Sequence, residues 1–281
     1  MKIVKNPKEL QEICWDWRSK GFISGVVPTM GYLHEGHFSL LQAARKNCEK
    51  VVATIFVNPT QFGPNEDLDA YPRDIERDTR LAKEAGVDVL FTPEAGAMYS
   101  EDHSTWVEVP DLAKGLCAST RPTHFRGVAT VVTKLLMLTM PRKAFFGQKD
   151  WQQLALIKRM VQDLDMPIEV ISCPIIRESD GLAKSSRNVY LSDEERKQVP
   201  HIHMGLQHVN QLIADGERDV EKLRKAFTDY IGTNVALGKI DYAEFVHPER
   251  LTPINYVDEP TLLAVAVFMQ KARLIDNLLL G

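Results

Sequence analysis

Residues 25–37 carry the stretch GVVPTMGYLHEGH, which decides the fold. Its apolar start at 25–28 predicts a buried strand, and apolar side chains at helical spacing predict a helix over 36–48. In open parallel sheets, ligands bind beyond the carboxyl ends of the strands. The junction between this strand and this helix is therefore the first candidate for a binding site.

The alternation of apolar runs with amphipathic runs continues outward from this junction. We expect further strands at 51–57, 87–91, 144–146 and 168–172, and helices at 73–85, 128–140 and 150–163. The β-branched run at 51–57 is typical of a strand that is buried on both faces. Strands that alternate with helices predict an α/β fold with a Rossmann-like parallel sheet and right-handed crossovers.

The pattern changes after residue 174. Polar helices are expected at 193–199, 204–214 and 220–231, followed by strands near 240–246 and 262–268. The sequence therefore predicts two domains, a Rossmann-like domain at 1–174 and a smaller C-terminal α+β domain at 175–281.

Bulk properties exclude several classes of protein. A formal net charge of -4 over 281 residues gives no global basic field for nucleic acid or an anionic membrane. The longest apolar run, residues 262–269, is too short to span a bilayer, and the N-terminus lacks the apolar region of a secretory signal. Four scattered cysteines favour reduced thiols. We expect a cytoplasmic protein.

The first junction carries two histidines, His34 and His37, three residues apart on one face of a helix start. Gly36 lets a bulky ligand approach the backbone, and the helix N-terminus supplies N–H groups and partial positive charge suited to phosphate. Both histidines are therefore candidate partners of a triphosphate. A helix cap, a surface pair or half of a metal site would give the same pattern, so this segment alone leaves the choice open.

Two further junctions carry polar side chains after a strand. Asn58 and Gln61 are amides that suit the orientation of a hydroxy acid, although an asparagine turn also ends strands. In FGQKDWQQ at 146–153, Lys149 can neutralise phosphate and Asp150 can cap a helix or hold ribose hydroxyls.

The fourth segment, residues 175–188, contains two hydroxyls between two cations, Lys184 and Arg187. Such a loop can bind an anion, and its position at the predicted domain boundary favours a clamp that closes over a nucleotide. A solvated interdomain loop is the alternative.

The four segments together resemble a known family. HEGH at 34–37 resembles the HxGH signature of the class I nucleotidyltransferase superfamily, and KSSR at 184–187 lies where that superfamily keeps its KMSKS-like loop. The strings PTMG, FVNPTQF, AYPRD, RPTHFRGV, FGQKDWQQL and DGLAKSSRN are similar to those of the pantoate–β-alanine ligase family. The resemblance spans nearly the whole chain in the right order and spacing.

The resemblance implies a two-step reaction. Pantoate carboxylate attacks the α-phosphate of ATP, with Mg²⁺, to give pantoyl adenylate and pyrophosphate. The amine of β-alanine then attacks the activated carbonyl to give pantothenate and AMP. It also implies a homodimer, an ATP- and pantoate-binding first domain, and a second domain that begins with the phosphate-clamping loop.

The family motifs also assign residues. ATP is expected to contact Met30, Gly31, Tyr32, Leu33, His34, Glu35, Gly36, His37, Gly147, Gln148, Lys149, Asp150, Ile176, Lys184, Ser185, Ser186 and Arg187. The expected catalytic residues are His34, His37, Lys149, Ser185, Ser186 and Arg187. Pantoate and β-alanine are assigned to Gln61 and Gln153, and magnesium to Asp78. Arg121 and His124 are expected to shape the cleft. Family members usually carry Met or Leu in place of Lys184. Two roles stay open for this additional cation: a contact with phosphate, or a position in solvent.

Three other functions differ in testable ways. A nucleotidyltransferase acting on a phosphorylated substrate should show more basic residues for the acceptor, whereas Gln61 and Gln153 favour a hydroxy acid. An RNA-binding synthetase fragment is disfavoured by the net charge of -4. A nucleotide sensor would bind ATP but release no pyrophosphate in the presence of pantoate.

Overall fold

A computed structural model describes residues 1–64, 66 and 68–280. The chain divides into two compact units. The first contains residues 1–114, 118–148 and 156–174, and the second contains residues 115–117, 149–155 and 175–281. The domain boundary after residue 174 stays a prediction.

The first unit is built on a parallel sheet. In the described part of the chain its six strands are β1 (Lys2–Val4), β2 (Ser24–Thr29), β3 (Lys50–Ile55), β4 (Val89–Phe91), β5 (Lys143–Gly147) and β6 (Glu169–Cys173). Their order across the sheet is β1-β4-β3-β2-β5-β6, and every pair is parallel. The helices along this part of the chain are α1 (Pro7–Ser19), α2 (Glu35–Asn47), α3 (Ile75–Glu84), α4 (Ala95–Met98), α5 (His124–Thr139) and α6 (Trp151–Asp163). The prediction of an α/β fold with a Rossmann-like sheet is confirmed.

The strand order positions the binding edge. From β2 the chain continues to β3 and β4 on one side of the sheet, and later to β5 and β6 on the other. The order therefore reverses between β2 and β5, and open parallel sheets bind ligands at such a point. The segments that follow these two strands carry the histidine pair and residues 147–149.

The second unit contains an antiparallel sheet in the order β7-β8-β9. Its strands are β7 (Lys239–Val246), β8 (Thr261–Phe268) and β9 (Arg273–Leu280), and its helices are α7 (Asp193–Gln198), α8 (Pro200–Ala214) and α9 (Val220–Asn234). The core lies between α8, α9 and the sheet, with Leu206, Phe227 and Phe245 fully buried. The predicted C-terminal α+β structure is confirmed.

Several elements differ from the sequence-based expectations. The helix expected from 128 begins at His124, whose ring is buried in the first turn, and the helix expected from 204 begins at Pro200. Proline fits a first helical turn, because that N–H has no partner inside the helix. The patterns did not predict β1, α1 or β9. In β9, the adjacent polar residues Asp276 and Asn277 interrupt the apolar pattern although both are buried.

Two further properties concern helix length and the cysteines. The helices in the described part of the chain lack the length and apolar character needed to cross a bilayer. The four cysteines are free thiols, and Cys14, Cys48 and Cys173 are buried.

The core of the second unit gives a stability test. Phe227 is 0% exposed, and Gly205 in α8 leaves so little room that a Cβ there would lie 3.0 Å from its ring. Phe227→Ala should therefore lower the free energy of unfolding by about 3–5 kcal/mol. Urea denaturation checks this, with Leu237→Ala, at a side chain 52% exposed, as the control. Equal effects of the two substitutions would contradict the assigned core.

Candidate active site

The turn between β2 and α2 has an unusual backbone. Gly31 and Tyr32 both have positive φ, at 86° and 50°. A Cβ at Gly31 would lie 2.8 Å from Ile55 Cγ2, so glycine is needed for space as well as for conformation. The turn brings the backbone N–H groups of Tyr32 and Leu33 to one side.

A buried carboxylate holds this turn. Asp78 lies in α3 and is 1% exposed. Its two oxygens accept hydrogen bonds from Tyr32 N and Leu33 N, each at 2.7 Å. Burial raises the pKa of the Asp78 carboxyl, although both backbone hydrogen bonds favour the ionised form. Each oxygen accepts one backbone N–H here, and the assignment of Asp78 to magnesium stays a prediction.

His34 and His37 cap α2 reciprocally. Gly36 N donates to His34 Nδ1 at 3.1 Å, and His34 N donates to His37 Nδ1 at 3.4 Å. The ring centroids lie 4.1 Å apart. Because both Nδ1 atoms accept, each neutral imidazole carries its proton on Nε2. The helix-cap interpretation is therefore correct for this pair, and in this tautomer a ring can donate to a phosphate only through Nε2–H.

Gln61 is held after β3 by neighbouring polar groups. Asn58 Nδ2 donates to Gln61 Oε1 at 3.1 Å and to Gly127 O at 3.2 Å, while Gln61 Nε2 donates to Met30 Sδ at 3.1 Å. A Cβ at Gly127 would lie only 2.5 Å from Thr60 O, so α5 approaches this segment closely. Gln61 is 8% exposed, and its amide orientation is fixed before any ligand arrives.

A charged network braces the Gln61 backbone. Arg121 donates to both carboxylate oxygens of Glu66, in one case at 2.8 Å, and to Gln61 O at 3.4 Å. His124 Nδ1 donates to Gln61 O at 2.9 Å, so its Nε2 can accept from Arg121 Nη1 at 3.1 Å. The sequence patterns did not identify Glu66, because an acid 55 residues before its partner arginine gives no local signal.

The second unit carries the remaining assigned residues. Ser185 caps the 3₁₀ turn Ser186–Tyr190 and accepts from Arg187 N at 3.3 Å. Lys184 N donates to Ile176 O at 2.9 Å, and Ser186 is 8% exposed. Lys149 and Ser185 line one small cavity in this unit, so the structure brings these two predicted phosphate-binding residues together.

Asp150 and Gln153 belong to the short stretch 149–155 of the second unit. Asp150 is exposed and Gln153 is half-buried. Their neighbours anchor this stretch: Trp151 Nε1 donates to Pro248 O at 2.8 Å, and Gln152 Oε1 accepts from Cys117 N at 3.0 Å. The ligand assignments of Asp150 and Gln153 stay predictions, as do those of Gly147 and Gln148 at the end of β5.

Comparison with known proteins decides the family. The sequence pattern described as "Pantoate-beta-alanine ligase" matches residues 2–279. The chain belongs to the pantoate–β-alanine ligase family. Among curated relatives, the pantothenate synthetase of Maridesulfovibrio salexigens is 55% identical over 280 residues, covering 100% of this chain and 99% of the relative. That of Fervidobacterium nodosum is 50% identical over 281 residues, covering 100% of both chains.

Solved structures agree with the family assignment. The crystal structure of pantothenate synthetase from Thermus thermophilus has a TM-score of 0.92 at 44% identity and covers 99% of each chain. The pantoate–β-alanine ligase of Francisella tularensis has a TM-score of 0.80 at 33% identity, covering 99% of this chain and 97% of that one. That structure is described as complexed with βγ-ATP and β-alanine.

The buried carboxylate gives the first prediction for this family site. Asp78→Asn replaces one acceptor oxygen by an amide that donates, so one of the two backbone N–H groups loses its acceptor. We expect the free energy of unfolding to fall by about 1–3 kcal/mol, and hydrogen exchange at the Tyr32 and Leu33 amides to become faster. Exchange mass spectrometry measures this, with the exposed Glu76→Gln on the same helix as control. Unchanged protection at both amides would contradict the role.

Glu66 gives a pH-dependent prediction. Burial opposes its ionisation, but hydrogen bonds and charge from Arg121 lower the pKa of Glu66 below 4.5. A lowered folded-state pKa stabilises the fold above the unfolded-state pKa, and this stabilisation is lost as pH falls through the folded-state pKa. At neutral pH, the difference in unfolding free energy between wild type and Glu66→Gln should therefore have its largest value.

Below pH 4.5, the ordinary pKa of a glutamate side chain, that difference should shrink steadily. Urea titrations at several pH values measure it, and Glu94→Gln at an exposed position of the same unit is the matched control. A difference that stays constant down to acid pH would show that the Glu66 charge contributes nothing.

Proposed function

We propose that this protein condenses pantoate with β-alanine, using ATP, through a pantoyl adenylate. The observation that carries the proposal is the reciprocally capped histidine pair at the start of α2, on the edge of the sheet where the strand order reverses. Family membership and the Francisella tularensis complex, which contains a nucleotide and β-alanine, support the same reaction.

The first step joins pantoate to the nucleotide. A pantoate carboxylate oxygen forms a bond to the α-phosphorus of ATP while the bond to the bridging oxygen of pyrophosphate breaks. Negative charge grows on the phosphate oxygens, and the Nε2–H groups of His34 and His37 donate to them with the help of the α2 N-terminus. Backbone groups of the turn at Met30–Leu33 contact the nucleotide, and Gln61 orients pantoate through its amide.

The remaining assigned residues have positioning and charge-neutralising roles. Gly147 and Gln148 contact the nucleotide, Asp150 holds ribose hydroxyls, and Gln153 contacts pantoate. Lys149, Ser185, Ser186 and Arg187 neutralise the phosphates, with Ile176 and Lys184 also contacting ATP. No protein nucleophile is required, since the substrate carboxylate attacks, and alignment alone can supply about 7–11 kcal/mol.

The second step forms the amide. The amine of β-alanine attacks the acyl carbon of the adenylate, the acyl–oxygen bond to AMP breaks, and the amine loses a proton. Pantothenate and AMP are released. Because an exposed adenylate would hydrolyse, the groups that hold the phosphates must also limit the access of water.

Magnesium fits this reaction as the ion bound to the phosphates of the nucleotide. Mg²⁺ is usually bound by one or two carboxylates together with substrate phosphates. The Asp78 carboxylate suits that donor set, because each oxygen accepts a single backbone hydrogen bond and has a second lone pair. When bound, the ion would offset phosphate charge. We also extend the proposal to a cytoplasmic homodimer, as the family resemblance implies.

Product analysis tests the proposed reaction. Wild-type protein with Mg-ATP and pantoate should release pyrophosphate, and adding β-alanine should give AMP and pantothenate in equal amounts. His37→Ala removes a phosphate donor and should lower kcat by about 10²–10³-fold. His208→Ala, at an exposed histidine of α8, is the matched control and should keep full activity.

Two outcomes would contradict the proposal. ATP binding without pantoate-dependent pyrophosphate would indicate a nucleotide sensor. Pyrophosphate release with a phosphorylated acceptor and none with pantoate would indicate a different nucleotidyltransferase.

A further inference from the structure

Strand β9 carries two adjacent polar residues where its neighbours are apolar. Asp276 and Asn277 are each 5% exposed. Burial of a carboxylate and an amide is unfavourable unless both are well hydrogen-bonded, so their partners reveal what they do. The strand itself is firmly placed, since all eight of its residues pair with β8.

Asp276 fixes the turn that precedes the KSSR segment. Its two oxygens accept from Arg177 Nη1 at 2.6 Å and Nη2 at 2.9 Å, a two-bond geometry that sets both distance and orientation. Arg177 Nη1 also donates to Gly181 O at 3.0 Å, and the Arg177 backbone bridges to Ala183. The turn at 177–183 is thus closed at its base immediately before Lys184.

Helix α7 braces the far side of the same turn. Arg196 donates to Asp180 at 2.6 Å and to Glu178 at 2.7 Å. Asn188, just beyond the KSSR segment, donates to Glu178 Oε1 at 3.1 Å and to Ala183 O at 3.2 Å. The KSSR segment therefore begins and ends on an anchored frame, which is fixed to the sheet through Asp276.

Asn277 fixes the other phosphate-binding segment of this unit. Its Nδ2 donates to the backbone carbonyl of Lys149 at 3.0 Å. Asp276 Oδ1 in turn accepts from Asn277 N at 2.8 Å, which ties the two polar residues to each other. Lys149, Ser185 and Asp276 line one cavity, so both segments meet beside this pair.

We infer that Asp276 and Asn277 are positioning residues, which together set the Lys149 segment and the KSSR segment at the spacing that the triphosphate of ATP requires. The inference rests on the proposed function. Each side chain acts through a partner: Asp276 through Arg177, and Asn277 through the carbonyl of Lys149. A purely structural pair would lower stability alone, whereas a positioning pair changes how ATP is used.

Steady-state kinetics on the full-length protein separates these roles. Asn277→Ala removes the donor to Lys149, Asp276→Asn weakens the pairing with Arg177, and Arg177→Lys keeps the charge but loses the two-bond geometry. Assayed as pantoate-dependent pyrophosphate release, the first two should lower kcat by about 10²-fold, because small misplacements have effects of that size. The KM for ATP should rise while the KM for pantoate stays unchanged, and Arg177→Lys should show an intermediate loss.

Asp241→Asn is the matched control. Asp241 Oδ2 accepts from Arg273 Nε at 2.9 Å and Nη2 at 2.6 Å, and Arg273 is the first residue of β9. Its side chain is 11% exposed, against 4% for Asp276. This substitution should lower the melting temperature as Asp276→Asn does, yet leave the KM for ATP and kcat unchanged.

A binding measurement keeps the inference testable apart from turnover. Mg-ATP should raise the melting temperature of wild type and of Asp241→Asn, and raise it less in Asn277→Ala and Asp276→Asn. Folded β9 variants with wild-type ATP kinetics and wild-type ATP stabilisation would overturn the inference, and so would an equal kinetic loss in Asp241→Asn. If wild type gains stability from ATP but releases no pyrophosphate with pantoate, the proposed function fails while the positioning result still stands. Absence of any ATP effect on wild type would overturn both.

Discussion

The candidate site of the first unit depends on one buried carboxylate, which accepts hydrogen bonds from two backbone N–H groups. Asp78 holds Tyr32 N and Leu33 N at 2.7 Å in a turn where two consecutive residues have positive φ. Without that acceptor, two buried donors would be unsatisfied, at about 1–3 kcal/mol each. The direction in which α2 starts, and hence the placement of both histidine rings, follows from this turn.

The second unit applies the same physical rule on a strand. Asp276 and Asn277 are tolerated in an apolar environment because arginine N–H groups and a backbone carbonyl satisfy them. In both units a buried polar group of a regular element holds an irregular segment that contains residues proposed to bind ATP. Such preorganisation suits a reaction in which the substrate supplies its own nucleophile, because positioning and charge stabilisation then account for catalysis.

Local pattern was sufficient for strands β2 to β6 of the parallel sheet, since buried apolar strands alternate with amphipathic helices at 25–57 and again at 144–172, but it did not predict the edge strand β1. It failed at β9, where the polar pair that breaks the apolar alternation is stabilised by partners about 100 residues away, at Arg177, and 128 residues away, at Lys149. The start of the helix was predicted at residue 128 instead of His124. Histidine is polar in sequence, and here it is buried through its contact with the Gln61 carbonyl. Motif resemblance supplied the assigned site residues, but not Glu66, Asp276 or Asn277, whose roles exist only through distant contacts.

The central claim, an adenylate formed from pantoate carboxylate and ATP, is tested most directly by following a heavy oxygen atom. Pantoate labelled with heavy oxygen in its carboxylate is incubated with Mg-ATP and β-alanine, and the AMP produced is analysed by mass spectrometry. Attack on the α-phosphorus predicts one labelled oxygen in the phosphate of AMP and one retained in pantothenate. Formation of ADP in place of AMP, with the label in inorganic phosphate, would show attack at the γ-phosphorus and contradict the account.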